Sequence, residues 1–323
     1  MADKPKIGFY WSSSCGGCEE AVVDLDEKIL DVVAAVDIVF WPCAMDFKYS
    51  DVEAMADKEM AVCFINGAVQ TSEQEHAVKL LREKSGLVVA FGSCSSLGGI
   101  PSLGNLKNKE AIFERAYLDS PTNVNPDHIV PKPESAVNGF KLILPEYYDS
   151  VYKLDDVINV DYYLPGCAPT PKLIMSSVLA ILEGNLPEPG SVLLPNTALC
   201  ASCDRNDTKP DKLTITDLKR IHEIEADPEQ CFLNQGVICM GPATRDGCEY
   251  PCIKGNMPCT GCFGPVSNAD QGAKMIASLG GVLKGDTEAS VREETDKIVD
   301  PAGTFYRYSV SSSLLGSKRR KEA

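Results

Sequence analysis

A chain of 323 residues is long enough for one large domain or two ordinary ones, and with 44% apolar residues it can bury a sizeable core, which excludes wholesale disorder. Its 31 Lys and Arg stand against 46 Asp and Glu, a net charge of −15, so the basic surface that a phosphate backbone demands is missing and nucleic acid is excluded as a partner. No apolar run approaches the ~20 residues of a membrane span, and the opening MADKPKIGFYW lacks the parts of a secretory signal, so a soluble, cytoplasmic protein without membrane insertion is expected.

In chain order, Lys6–Trp11 is a short apolar run that reads as a strand. A helical pattern follows, with Val22, Leu25, Ile29, Val32, Val33 and Val36 at three- and four-residue steps on one buried face. Asp37–Trp41 is a second strand, ended by Pro42, and Glu59–Ile65 a third, ended by Asn66-Gly67. The pattern over Ser72–Lys84 predicts a helix with Ser72 as N-cap and Glu75 closing a capping box. Leu87–Phe91 is a fourth strand, broken by Gly92. Pro- and Asn-rich sequence between Leu103 and Asn138 reads as a surface insertion. Asp161–Leu164 then leads into Pro165-Gly166-Cys167, and Pro171–Leu182 reads as a helix.

Strands alternating with helices imply an α/β fold, a doubly wound parallel sheet with its functional loops at the carboxyl ends of the strands. From about Gly190 the alternation is lost, and Gly, Pro and Cys punctuate short segments. Such composition is not expected to assemble a large apolar core, so bound metal is expected to help order it. The residues from about 265 carry no cysteine and read as a packing extension, and the closing SKRRKEA as a short solvated tail.

The chain has 14 cysteines and 3 histidines. Dense cysteine in a cytosolic chain points to metal or redox chemistry rather than disulfides. Cys15 and Cys18 form a CxxC where the first strand gives way to the first helix, where the helix dipole is expected to favour thiolate. Alone, a CxxC is equally a redox pair, a zinc half-site or a cluster half-site. Cys94 and Cys167 each follow a later strand. In a parallel sheet all three loops open on one edge, and four thiolates there suffice for a 4Fe–4S cluster. Four unrelated cysteines is the blander alternative.

Eight more thiols, Cys200, Cys203, Cys231, Cys239, Cys248, Cys252, Cys259 and Cys262, lie close together with no compensating His set. They fit two Cys₄ sites of iron–sulfur or zinc type. Cys63 sits in an apolar run and reads as a core thiol. Cys43 follows a strand end and could border the first cluster. His76, His128 and His222 read as solvated. No Ser–His–Asp arrangement, P-loop or GxGxxG is present.

The motifs WSSSCGGCEE at 11–20, AFGSCSSLGGIP at 90–101, YLPGCAPTP at 163–171 and the array from Cys200 to Cys262 resemble the small, electron-transfer subunit of nickel–iron hydrogenases over nearly all of residues 1–265. The resemblance implies a flavodoxin-like domain at 1–185 binding a proximal 4Fe–4S cluster through Cys15, Cys18, Cys94 and Cys167. It implies an irregular, cysteine-rich iron–sulfur domain at 186–323, with a medial cluster on Cys248, Cys252, Cys259 and Cys262 and a distal one on Cys200, Cys203, Cys231 and Cys239. Cys200 stands where the periplasmic members carry a His, and Cys252 is an additional thiol that makes the medial site look like a four-iron one. Both departures resemble the cytoplasmic hydrogenases of methanogens, above all the subgroup that does not reduce the deazaflavin coenzyme and passes electrons toward heterodisulfide reductase. The lack of a twin-arginine signal agrees with that.

The resemblance further implies a catalytic nickel in a partner large subunit, no catalytic acid or base in this chain, and an iron–sulfur or flavin electron-accepting subunit near the distal cluster. Glu19 and Glu20, which follow the CxxC, could border the interface with the large subunit or a proton route, but a helix-start carboxylate facing the dipole is the blander account. Two alternatives stand beside this reading: the cluster-bearing subunit of respiratory complex I, which resembles only the N-terminal half, and a zinc-stabilised scaffold without enzymatic activity.

Overall fold

The computed structural model describes residues 4–267 and 269–316, so the SKRRKEA tail lies outside the described residues. Strands β1 (Lys6–Trp11), β2 (Asp37–Phe40), β3 (Met60–Asn66), β4 (Val69–Thr71), β5 (Ser85–Phe91), β6 (Glu134–Val137), β7 (Phe140–Ile143), β8 (Tyr147–Tyr152) and β9 (Tyr162–Leu164) form one large and two small sheets. The large sheet has the order β2-β1-β3-β5-β9, every neighbour parallel. This is the doubly wound arrangement expected from the alternation of elements.

The two faces of the sheet follow from the two-residue period of a strand. Ile7, Phe9, Val62, Phe64, Val89 and Phe91 point to one side and pack with Val22, Leu25, Val32, Ile174 and Val178. Tyr10, Cys63, Ile65, Val88 and Ala90 point to the other and meet Ala77, Val78 and Leu81 of the Ser72–Lys84 helix. Both faces being covered, the central strands read as continuous apolar runs.

Three local expectations need correction. The pattern from Val22 to Val36 is not one helix: Gly17–Val23 and Ile29–Ala35 are separate, joined through Asp26 with φ 53°, and the break turns Val33 to solvent at 41% exposure. The Ser72–Lys84 helix has the expected bounds, but its cap is Thr71, whose hydroxyl accepts from Gln74 N–H, with Gln74 rather than Glu75 closing the box. The insertion contains a hairpin, β6–β7, turned by Asn138 (φ 50°) and Gly139 (φ 81°), the dipeptide and dihedrals of a tight hairpin turn.

The cysteine-rich half does assemble an apolar cluster, contrary to expectation. Leu199, Phe232 and Met240 pack with Met275, Leu279, Phe305, Tyr306 and Val310. The apolar residues are dispersed along the sequence, and the helices Gln271–Val282 and Pro301–Phe305 carry several of them inward. The cysteine-free segment thus packs as anticipated. It also ties the halves together: Gly99 N–H donates to Tyr308 C=O (3.0 Å), and Ser311 Oγ donates to Val151 C=O (2.7 Å). No helix among the described residues is long and apolar enough to cross a membrane.

Candidate metal centres

The carboxyl ends of four strands are in register, Trp11 opposite Asn66, Asn66 opposite Phe91 and Phe91 opposite Leu164. The loops beyond them therefore leave from one level. Ser12 and Ser13 donate their N–H groups to Asn66 and Ala68 C=O, both at 2.9 Å, and Gly16 at φ 87° turns the chain into the Gly17–Val23 helix. Gly92 and Ser93 donate to the carbonyls of Leu164 and Gly166 at 2.8 Å, and Gly166 N–H donates back to Ser93 Oγ at 3.0 Å. Cys15, Cys18, Cys94 and Cys167 are so carried to one edge by three strand ends.

Cys18 is buried, Cys94 partly so, and Cys15 and Cys167 are exposed. Burial raises the Cys18 thiol pKa, and charge on Cys94, Cys167 and Cys15 raises it further. Burial likewise pushes Cys94 up to about 12, with Cys167 and Cys15 adding to it. Cys18, Cys94 and Cys167 therefore each feel other thiols of the set. The helix-dipole expectation fails at Cys18, where loss of hydration outweighs the dipole of a seven-residue helix. Gly92 makes room: at φ 86° it has no side chain, and a Cβ there would overlap Cys18 Sγ.

The second cysteine group is arranged in series with the first. Cys262, pushed up to about 12 mainly by burial, also feels Cys248, Cys167 and Cys252. Its carbonyl accepts from Ser93 Oγ, beside Cys94. Cys259 is likewise pushed up to about 12, by burial, and feels Cys262 and Cys248. On its other side, Cys259 N–H donates to Cys239 Sγ at 3.4 Å. Cys239, raised by burial, also feels Cys259 and Cys200. Cys200, Cys203, Cys231 and Cys239 line one cavity together with Lys209 and Gly241. Lys209 Nζ donates to Cys200 Sγ at 3.6 Å.

Among the described residues, no three His, Cys, Asp or Glu side chains converge closely enough to hold a single metal ion. A polynuclear cluster asks for something different, with each thiolate on its own iron and the inorganic core between them. The donor sets suit such a group: every donor is sulfur, the thiols occur in fours, and glycines stand where a Cβ would crowd a sulfur, at Gly92 and, 3.2 Å from Cys200 Sγ, at Gly241. Iron would also replace the protons that burial holds on Cys18, Cys94, Cys239, Cys259 and Cys262.

The remaining candidate side chains fall outside these sets. Glu19 is buried, contrary to the dipole account, which suits only the exposed Glu20. Its carboxylate accepts from Trp41 Nε1, from Asn66 Nδ2 at 2.5 Å and from Cys43 Sγ at 3.4 Å; burial raises its pKa and these three bonds oppose the rise. Cys43 thus pairs with Glu19, and Cys63 is fully buried in β3. His76, His128 and His222 are all exposed. Lys209 carries no motif that spacing could have revealed.

The family model described as NADH ubiquinone oxidoreductase, 20 Kd subunit, matches residues 15–181. Along the whole chain, similarity extends to the iron–sulfur subunit of the F420-non-reducing hydrogenase of Archaeoglobus profundus, 40% identical over 97% of this chain and 98% of that one. The corresponding F420-non-reducing hydrogenase chain of Methanothermobacter marburgensis is 35% identical over 100% of this chain and 99% of its own. Among solved structures, a chain of the [NiFeSe] hydrogenase of Desulfovibrio vulgaris Hildenborough superposes with TM-score 0.54 at 16% identity, over 84% of this chain and 97% of that one, a likeness of fold.

Proposed function

Because the chain belongs to the family of F420-non-reducing hydrogenase iron–sulfur subunits, and so is a subunit of a hydrogen-converting oxidoreductase, we propose that it is the electron relay between a partner's nickel–iron site and a low-potential acceptor. In this reading residues 1–185 hold a proximal 4Fe–4S cluster on Cys15, Cys18, Cys94 and Cys167. Residues 186–323 hold a medial cluster on Cys248, Cys252, Cys259 and Cys262 and a distal one on Cys200, Cys203, Cys231 and Cys239. Each bound cluster supplies a one-electron carrier.

The observation that supports the relay most is the serial order of the thiol sets. Cys262 neighbours both Cys167 and Cys248, and Cys239 neighbours both Cys259 and Cys200. One molecule of H₂ yields two protons and two electrons at the partner's metal site, and the electrons leave singly along that order. This chain contributes ligands, spacing and exclusion of water, and no acid or base for the splitting step. The acceptor would be an iron–sulfur or flavin subunit docking near Cys200, such as one of a heterodisulfide reductase complex, in the cytoplasm. The full-length similarity to hydrogenase subunits favours this over a complex-I-type subunit.

Iron, zinc and acid-labile sulfide per chain in the anaerobically purified complex, with the low-temperature EPR spectrum, test the proposal. About twelve irons and twelve sulfides, with reduced 4Fe–4S signals and no oxidised three-iron signal, are expected for three four-iron clusters. Zinc with little iron would overturn the relay. About four irons would leave only the strand-end set filled and return the complex-I-type reading. In the same complex, Cys18→Ala should abolish dye reduction with H₂, and intact dye reduction would remove the proximal assignment.

A further inference from the structure

Residues 119–146 form an excursion in which no residue is buried. Its outer part is the β6–β7 hairpin, paired as Val137 with Phe140, Ala136 with Lys141, Ser135 with Leu142 and Glu134 with Ile143. Side chains alternate across a strand and cross-strand partners share a face, so Val137, Phe140 and Leu142 lie on one side of the ribbon. Glu134 and Lys141 lie on the other, where they form an ion pair at 2.9 Å beside a single exposed large apolar residue, Ile143. The apolar side is 49%, 72% and 50% exposed at Val137, Phe140 and Leu142. A lone two-stranded hairpin is marginal in water, and a contiguous exposed apolar patch marks an interaction surface.

The roots of the excursion indicate what covers it. The chain approaches it from Ile100–Leu106, directly after the Cys94 loop, where Ile100 and Leu106 are themselves exposed, and reaches it through helical residues 109–118. It returns at Glu146, which exchanges hydrogen bonds with Ser72, its N–H donating to Ser72 Oγ and its carbonyl accepting from Ser72 N–H, both at 3.0 Å. Ser72 follows β4, and just before β4 Ala68 bridges to Ser13, two residues from Cys15. Both roots therefore stand on the carboxyl edge that presents Cys15 and Cys94, where Trp11 is also exposed. Cys200, Cys203, Cys231 and Cys239 belong to the other half of the molecule, in or against its own apolar cluster or cavity. A second copy of the chain would bring another net charge of −15 against the first.

We propose that the apolar face of the β6–β7 hairpin clamps the nickel-bearing large subunit, extending the contact made by the proximal edge. The proposal rests on the relay function above and names a surface for its partner.

The test uses the whole hydrogenase complex with Phe140→Ser and Leu142→Ser together, diluted and followed by native mass spectrometry. The concentration at which the nickel-bearing subunit dissociates should rise at least tenfold, with iron per chain unchanged, while Ile143→Ser on the opposite face should shift it less than twofold. In the unaltered complex, amine cross-linking should join Lys132 or Lys141 to the nickel-bearing subunit, which requires no variant to fold. Unchanged dissociation, or cross-links only to the acceptor subunit or to a second copy, would overturn the clamp and leave the relay standing. An unaltered complex that holds no nickel-bearing subunit would overturn the relay and the clamp with it.

Discussion

Among the described residues, the Lys209 ammonium is the one cation seen to donate to a sulfur of the proposed distal set. It is held in place by a second bond to Asn206 Oδ1 at 2.6 Å. A donor on a ligating sulfur stabilises the reduced, more negative state of a cluster and raises its potential. A charge-assisted bond of this kind is worth about 1.5 kcal/mol, which for a one-electron couple corresponds to about 60 mV. Lys209→Met should therefore lower the potential of one cluster by up to about 60 mV in an EPR redox titration, leave iron content intact, and be rescued by Lys209→Arg. An unshifted titration would remove Lys209 from the distal environment.

At the scale of elements, Thr71 rather than Ser72 caps the longest helix on the sheet. Thr71→Ala should cost about 1 kcal/mol, read as a lower urea midpoint, whereas the Ser72→Ala cost should reflect only the loss of the bond that Ser72 Oγ accepts from Glu146 N–H. Equal losses would contradict the assignment. The parallel strands were legible in the sequence because each is an apolar run, all but the first closed by Gly, Pro or Asn-Gly, and three of them precede Cys15, Cys94 and Cys167. That adjacency is also why the grouping of Cys15, Cys18, Cys94 and Cys167 could be anticipated. The break at Asp26 was not legible, since the apolar steps on either side fit one helix and only a backbone dihedral separates them. The Asn138-Gly139 hairpin carried its signal, but four-residue strands in Pro-rich surroundings have little periodicity of their own. Nor could spacing disclose that Glu19 turns inward, because its partners Trp41, Cys43 and Asn66 come from two other strand ends.

For the whole molecule, two kinds of cohesion divide the chain. The sheet is buried on both faces by its own helices. Between Leu199 and Lys254 the described elements are short helical turns, and Cys231 and Cys239 are part of the apolar cluster there. Stripping iron with a chelator should accelerate amide exchange over Leu199–Cys262 at least tenfold, while Val88–Phe91 in β5 stay protected. A uniform loss of protection along the chain would show that the sheet depends on the metal as well.

The bond from Gly99 to Tyr308, and those from Ser311 to Val151 and from Asn105 to Ser311, carry a consequence for biogenesis. Synthesis runs from the N-terminus, and domains fold as they emerge, so the sheet and the Cys15, Cys94 and Cys167 loops are made well before residues 308–311. The loop beside Cys94 nevertheless lacks its fastenings until residues 308–311 leave the ribosome. The Cys94 loop is thus fastened late in synthesis, by residues far along the chain from it, while Cys15 and Cys167 stay open to solvent in the finished fold.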